Sequence, residues 1–394
     1  MFLFFKYSKI PNINDNKYSH KNFRGKKNKR ISYKSFIHTK TNLILIIIKI
    51  ILLIIFFSFS FIIYNLKSTQ NNKNKDLLNS KYKRPLLFGL KNKEKFELFK
   101  KTFKIIEVNK TYDFEKSTFA ILRRTDCSQC GLFSYYSVHF GCILTYLSKG
   151  YIPIIDVNSF ENIFNNFEYK PNNTNPWETL FNQPFGYTLD EVKKNAKKIE
   201  NIPCVWTNMA PSEGHVYSSE LTLNFYRKMT KKYMPLKKEI IKEVNTTWIK
   251  LFNNSNNILG VIGRGTDFIN LKPGGHSIPP STEQMIEDVN KMNKKYNYDW
   301  IYLATEDDNI REKFINNFKD KIKMIQNKNI SYTGGYIGDN KNLHGIKFQK
   351  LYLKSMIMAS KCIDIVSARC SGSMGAFIFA KGFRNTIVYF LGQF

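Results

Sequence analysis

Acidic residues are scarce in this 394-residue chain: 31 Asp and Glu stand against 61 Lys and Arg, for a formal net charge of +30. Such an imbalance directs attention to anionic partners, nucleic acid first. None of the sequence signatures of nucleic-acid-binding modules occurs, however, and much of the charge is lysine spread along the chain, so nucleic acid is set aside as the partner. Histidine is also scarce, with six in all. Cys127-Ser-Gln-Cys130 has neither a second Cys-x-x-Cys nor a histidine pair to complete a four-ligand site, which argues against zinc. The motif is left as a redox pair or a disulfide. No pairing of the six cysteines can be read from their spacing, but all six lie after residue 126.

One long apolar run is present. Leu43 to Ile63 reads LILIIIKIILLIIFFSFSFII, 21 residues, and a membrane span needs roughly 20. Lys49 lies toward the basic end, from which its ammonium reaches the interface along its own aliphatic stem. No small-residue cleavage site follows closely, and the run is long and begins far from Met1, which argues against a cleaved signal peptide. The segment before it holds 11 Lys and Arg between Lys6 and Lys40 against the single acid Asp15. The positive-inside rule keeps such a tail in the cytoplasm. The expected order is a basic cytoplasmic tail (1–41), a transmembrane helix (42–64), a Lys- and Asn-rich stem (65–116) and a globular body on the far side of the membrane.

The body opens with a β-α-β unit. TFAILRR is a strand, LFSYYSVHFGCILTYLSKG is a helix closed by Gly150, and YIPIIDV is the next strand. Residues 158–235 are less regular, and 236–257 have a helical apolar period. A second series begins at Ile258: ILGVIG, a long loop RGTDFINLKPGGHSIPP, the helix STEQMIEDVNKMNKKY, the strand WIYLA, the helix NIREKFINNF, the strand IKMI, the helix FQKLYLKSMIMASKC, the strand IDIVS, the short helix GSMGAFIFAKG and a last strand NTIVYF. Two such series predict an α/β protein of two facing Rossmann-like domains, 117–250 and 251–394. Ligands of parallel sheets bind beyond the carboxyl ends of the strands. The residues to watch are then in Arg123–Gly131, Arg264–Pro280, Thr305–Asp308 and Arg369–Ser373.

Arg264-Gly265-Thr266-Asp267 follows a strand directly, and an arginine there grips a diphosphate with two parallel N–H donors. Thr305, Glu306 and Asp307, with Asp308 behind them, can hold ribose hydroxyls or start the next helix. Ser371, Gly372 and Ser373 open a short helix whose free N–H groups and hydroxyls suit an anion, or else cap it. His276 sits in a Gly/Pro-rich loop as a candidate general base. His139 lies inside an apolar helix and reads as a packing residue.

VIGRGTDF, IYLATEDD and ASKCIDIVSARCSGS, in this order, resemble the three blocks of the GT-B fucosyltransferases of the α-1,6- and protein-O-fucosyltransferase superfamily. GLFSYYSVHFGCILTYLSKGYIPIIDV and NPWETLFNQPFGY are similar to microbial glycosyltransferase-like proteins that carry the same later blocks. The resemblance covers about residues 117–394 and implies a GT-B fold, a nucleotide-sugar donor (GDP-fucose) and an inverting displacement without a metal or cofactor. It places Arg264 on the diphosphate-binding arginine, Ser371 or its neighbour on the phosphate-binding serine, and Thr266 and Asp267 on the Arg-Thr-Asp motif. His276 falls on a histidine nine residues past that aspartate. Departures are Gly265 for a second arginine, Lys272 for the carboxylate proposed as base, Ser355 for an aspartate that reads guanine, and Ile262 for a histidine. The phosphate end of the site is thereby supported, while the base, Asp267 or His276, and the identity of nucleotide and sugar stay open.

Three expectations follow. The first is a type II membrane glycosyltransferase of the Golgi, its catalytic domain lumenal, acting on a glycan or glycoprotein. The sequons at Asn109, Asn172, Asn245, Asn253 and Asn329 agree with that compartment. The second is a membrane-anchored glycan-binding protein that has lost its base, with Lys272 in its favour. The third, a metal-dependent GT-A transferase using Glu306, Asp307 and Asp308, lacks the Asp-x-Asp after an early strand that this class needs.

Overall fold

The computed structural model describes residues 113–165, 174–210, 216–217, 220–325 and 345–394, without the side chains of Thr266 and Asp267. The chain divides into Met1–Lys75 and Asp76–Phe394, and all described residues belong to the second unit. The tail, the expected transmembrane segment 42–64 and the stem up to 112 lie outside them. Among the described residues no helix is long and apolar enough to cross a membrane.

The first half contains strands β1 (Thr118–Arg124), β2 (Ile152–Ile155) and β3 (Lys198–Cys204), with helices α1 (Leu132–Ser148), α2 (Trp177–Leu180), α3 (Leu189–Asn195) and α4 (Glu220–Tyr233). The three strands form one parallel sheet in the order β2-β1-β3. The second half contains α5 (Lys238–Phe252), β4 (Ile258–Ile262), α6 (Thr266–Leu271), α7 (Thr282–Tyr296), β5 (Trp300–Ala304), α8 (Asp308–Phe318), β6 (Ile322–Lys323), α9 (Ile346–Lys361), β7 (Asp364–Ser367), α10 (Ser371–Phe379) and β8 (Thr386–Val388). Its sheet is five-stranded and parallel throughout, ordered β6-β5-β4-β7-β8. The chain winds from β4 out to β6, then returns to lay β7 on the other side of β4. The gap between the ends of β4 and β7 is therefore a topological switch point, the place where ligands of open α/β sheets bind.

Local signals explain most boundaries. The Thr188 side chain caps α3 in a reciprocal box with Glu191. The Ser281 hydroxyl accepts from the Gln284 amide at the start of α7. Asn253 and Asn297 end α5 and α7 in the left-handed region, φ 45° and 47°, a conformation in which asparagine is second only to glycine. The expected long loop after β4 contains the helix α6, too short to show a period. The strand β3 falls in the stretch that reads as irregular. It is an edge strand with its side chains mostly exposed, so it carries no apolar run to find it by.

The two halves share one core. Phe133, Tyr136 and Phe140 of α1 and Tyr226 of α4 are buried in the same cluster as Met356 of α9 and Met374 and Phe377 of α10. Each such side chain contributes on the order of 1.5–3 kcal/mol when fully buried. A separate cluster fills the other face of the second sheet, beneath α7 and α8. Helix α5, at the end of the expected first domain, is tied to the second sheet's α9: the Lys350 and Lys354 ammoniums donate to Glu243 at 2.5 and 3.1 Å.

The six cysteines separate into two disulfides, Cys127–Cys130 and Cys142–Cys204, and two buried thiols, Cys362 and Cys370. His139 is fully buried with its Nδ1 3.0 Å from the Tyr135 carbonyl, as a packing histidine should be. Burial, aided by the nearby Arg124 charge, holds its pKa down to about 3, so it is neutral.

Candidate functional site

Strand β4 is buried along its whole length and paired on both edges, which makes its carboxyl end a rigid origin for the site. The Gly263 amide is still held by the Ala304 carbonyl at 3.0 Å. The next side chain, Arg264, leaves the sheet at the switch point. Its Nη1 donates to the Glu306 carboxylate, which comes from the end of β5. Both side chains are less than a fifth exposed. A charge pair screened this far from water interacts more strongly than a surface pair, and each member orients the other.

The Arg264 guanidinium also lies over the ring of Phe268, 4.6 Å from its centre. The other side of that contact belongs to His276, whose imidazole meets Phe268 edge-on at 5.1 Å. Arg264 and the exposed His276 are thus brought to one place through an aromatic residue that sequence reasoning passed over; a cation–π pair at helical distance from a strand-end arginine was the available signal. The loop carrying His276 is pinned by the end of the chain. Gly275 donates to the Phe394 main-chain oxygen at 3.2 Å, Phe394 to His276 at 3.1 Å and Ile278 to Gly392 at 3.1 Å. Asp267 lies in α6 next to these residues in sequence; its side chain is outside the description. Lys272 closes α6 in the left-handed region, exposed.

Gly265 has a steric reason to be glycine. A Cβ there would fall 2.3 Å from Asp307 Oδ2. Asp307 is buried, and its Oδ1 accepts from the Ile310 amide at 2.9 Å as the N-cap of α8. Asp307 is thus the N-cap of α8 among the carboxylates after β5. Asp308 pairs with Arg311 within the first turn of α8, and the Thr305 hydroxyl accepts from the Asp307 amide at 3.1 Å. Glu306, after the end of β5, is the one of these that pairs with Arg264.

Helix α10 starts across the gap, behind β7. Its N-cap is Cys370, in a reciprocal box with Ser373. Ser373 is fully buried, and its hydroxyl takes the Cys370 amide at 3.1 Å, gives to the Cys370 carbonyl at 2.9 Å and meets the Tyr217 hydroxyl at 2.6 Å. It caps α10 and ties it to the first half through Tyr217. Gly372 is buried against Tyr352, whose hydroxyl a Cβ would approach to 2.2 Å, so its role on view is close packing. Ser371 is half-buried at the first position of the helix. Burial raises the Cys370 thiol, and the Arg264 charge works against that rise. Arg369, one residue earlier, lies over the exposed ring of Phe390 at 5.3 Å, and Phe390 in turn meets Tyr217.

The arrangement can hold an anion. Arg264 and the N-terminus of α10 stand at the carboxyl ends of the neighbouring strands β4 and β7, with Glu306 the carboxylate paired to Arg264 among the described residues. Among the described residues no group of three or more His, Cys, Asp or Glu is placed to share a metal ion.

The head of the first sheet has its own constellation. The Arg123 Nε donates to Asp156 at 2.8 Å, Asp156 being fully buried. The Asp126 carboxylate receives the amide of Trp206, and the Trp206 ring is 62% exposed.

No protein-family model matches the chain, and no curated protein matches it. It is similar to solved structures of fucosyltransferases. NodZ α-1,6-fucosyltransferase soaked with GDP-fucose is 12% identical, with a TM-score of 0.39 over 67% of this chain and 93% of that one. An Arabidopsis thaliana FUT1 variant in complex with GDP is 8% identical, with a TM-score of 0.42 over 74% of each chain. The apo form of POFUT1 is 10% identical, with a TM-score of 0.40 over 71% of this chain and 99% of that one. At such overlap the likeness carries no argument about activity, which has to come from the residues at the strand ends.

Proposed function

We propose that this protein is a glycosyltransferase of GT-B type that binds a nucleotide-sugar at the carboxyl ends of β4 and β7. The observation that carries the reading is the position of Arg264 and the N-terminus of α10 on either side of the switch point. In it Arg264 and the first N–H groups of α10, with Ser371, stabilise the negative charge that develops on the leaving diphosphate. Glu306 orients Arg264 before the donor arrives, and Thr305 lines the same edge. His276, beside Arg264 through Phe268, or Asp267 removes the proton from the acceptor hydroxyl. The acceptor, a glycan or glycoprotein, approaches from the head of the first sheet, where the exposed Trp206 offers a flat apolar face to a sugar ring. Residues 42–64 anchor the enzyme as a type II protein of the Golgi membrane, and neither metal nor cofactor is required. Fucose from GDP-fucose is the donor that the sequence blocks favour.

The test is thermal-shift binding on the purified full chain with a panel of nucleotides and nucleotide-sugars, beside Arg264→Ala. A ligand at a hundred times its Kd stabilises the fold by about 2.7 kcal/mol, and that stabilisation should vanish in the variant. Preference for GDP supports fucose, and preference for UDP keeps the transferase and discards fucose. A wild-type protein indifferent to every nucleotide sinks the proposal and favours a glycan-binding protein without activity.

A further inference from the structure

The Cys127–Cys130 disulfide has no part in the reading above. It lies in the loop between β1 and α1 and closes over two intervening residues. The second disulfide, Cys142–Cys204, joins α1 to β3 across a sequence separation of 62, with both cysteines fully buried. The first differs in every respect that governs exchange. Cys127 and Cys130 are half-buried, with Ser128 exposed between them. A short loop also constrains the unfolded chain least, so the bond contributes little to holding the fold.

The surroundings of Cys130 are more specific. Arg124 is 2% exposed and directs Nη2 to the Cys130 sulfur at 3.3 Å. It is held there from two sides: Nε donates to Asp126 Oδ1 at 3.0 Å and Nη1 to the Ser134 hydroxyl at 2.8 Å. Cys130 also stands immediately before Gly131, the N-cap of the 17-residue helix α1. A fixed cation and a helix N-terminus are the two features that stabilise a sulfur as thiolate. Cys127 has neither contact; its carbonyl accepts from the Tyr135 hydroxyl at 2.8 Å, which keeps the loop in place around the bond.

We infer that Cys127–Cys130 is a thiol–disulfide exchange site in which a low-molecular-weight thiol or dithiol attacks Cys127 and Cys130 departs against Arg124. The thiolate of the reductant forms a sulfur–sulfur bond to Cys127 as the Cys127–Cys130 bond breaks, and the electron pair goes to Cys130. A second thiolate then displaces Cys127 from the mixed disulfide. Two electrons have moved from the reductant, now a disulfide, to the protein. Of the two thiol protons, one ends on Cys127 and the other goes to solvent, because Cys130 stays ionised. Attack at Cys127 is favoured because the better-stabilised thiolate is the better leaving group. The site does not depend on the glycosyltransferase reading. It does share Asp126 with the backbone of Trp206, so opening the loop loosens the head of the first sheet.

The full chain, purified in detergent, is equilibrated with graded ratios of reduced and oxidised dithiothreitol. Free thiols are trapped by alkylation and located by mass spectrometry. Cys127 and Cys130 should be trapped at a ratio at least about tenfold less reducing than Cys142 and Cys204 require, a separation of about 30 mV, while circular dichroism stays native. Simultaneous opening of the two pairs, or earlier opening of Cys142–Cys204, overturns the inference. The leaving group is read separately from the pH dependence of alkylation of the reduced wild-type protein. Cys130 should have its midpoint below both Cys127 and the ordinary thiol value of about 8.5; the reverse order overturns the assignment of Arg124.

Discussion

The central strand of each sheet leads to an arginine, Arg124 as the last residue of β1 and Arg264 two residues past β4, and the two have opposite surroundings. Arg124 ends β1 beside the switch point of the first sheet, level with Cys204 of β3. It is 2% exposed and spends its donors on Asp126, Ser134 and Cys130, with its guanidinium 5.0 Å from the ring centre of Tyr135. Arg264 follows β4 beside the switch point of the second sheet, half-buried, with Glu306 and the Phe268 ring against it. Equivalent places in two parallel sheets thus serve different ends. In the first half the loop after the strand folds back over the arginine and consumes it. In the second the loop runs into α6 and away, which leaves the strand end facing the start of α10. The residue type and its position do not decide what an arginine can reach; what the following loop does with the side chain decides it.

Four substitutions break or sharpen this contrast. Arg124→Ala removes a buried cation and strands its partners, so unfolding in urea should show a loss of about 3 kcal/mol or more; a near-neutral result would erase the distinction between the two arginines. Arg264→Ala should cost about 1–2 kcal/mol, since one charged hydrogen bond and one ring contact go. On the proposed function its larger effect should be the loss of nucleotide binding.

The two histidines extend the contrast. His139 in the first half is neutral because burial depresses its pKa. An unfolded histidine titrates near 6.5, so below that pH the unfolded chain binds a proton that the folded chain refuses. Stability from this residue is complete above pH 6.5 and is lost as the pH falls toward the folded value. Relative to His139→Phe, wild type should lose about 1.5 kcal/mol between pH 6.5 and 5 in paired denaturation curves. Equal slopes would mean that His139 is charged in the fold. The smallest effect belongs to Gly265→Ala. Its new Cβ would displace the Asp307 cap, at a cost of about 1 kcal/mol, and should weaken nucleotide binding by moving Glu306. An unchanged affinity would separate the cap from the site.

Much of this molecule is legible in its sequence. Helix α1 shows in its apolar content, β1 and β5 in short apolar runs that match TFAILRR and WIYLA residue for residue, and the strand-end position of Arg264 in the turn that follows ILGVIG. His139 reads as core because its neighbours are apolar. What stays hidden has a common cause. Edge strand β3 has no apolar signal because one edge and most of its side chains face outward. Thr305–Asp308 offers adjacent carboxylates, and only the geometry of α8 selects Asp307 as the cap and leaves Glu306 to Arg264. Ser371 and Ser373 are alike in sequence, yet one lies half-buried at the helix start while the other is consumed by Cys370 and Tyr217.

The sequence by itself determined the class of fold, the order of elements in the second half and the strand ends at which chemistry gathers, because these follow from local apolar periodicity and from chain direction in a parallel sheet. Tertiary structure alone decided the disulfide partners, the pairing of Arg264 with Glu306, the approach of His276 through Phe268, and which serine and which carboxylate were spent on caps. The Cys142–Cys204 bond, the Arg264–Glu306 pair and the Ser373–Tyr217 contact join segments far apart in the chain, and no local pattern encodes such a distance.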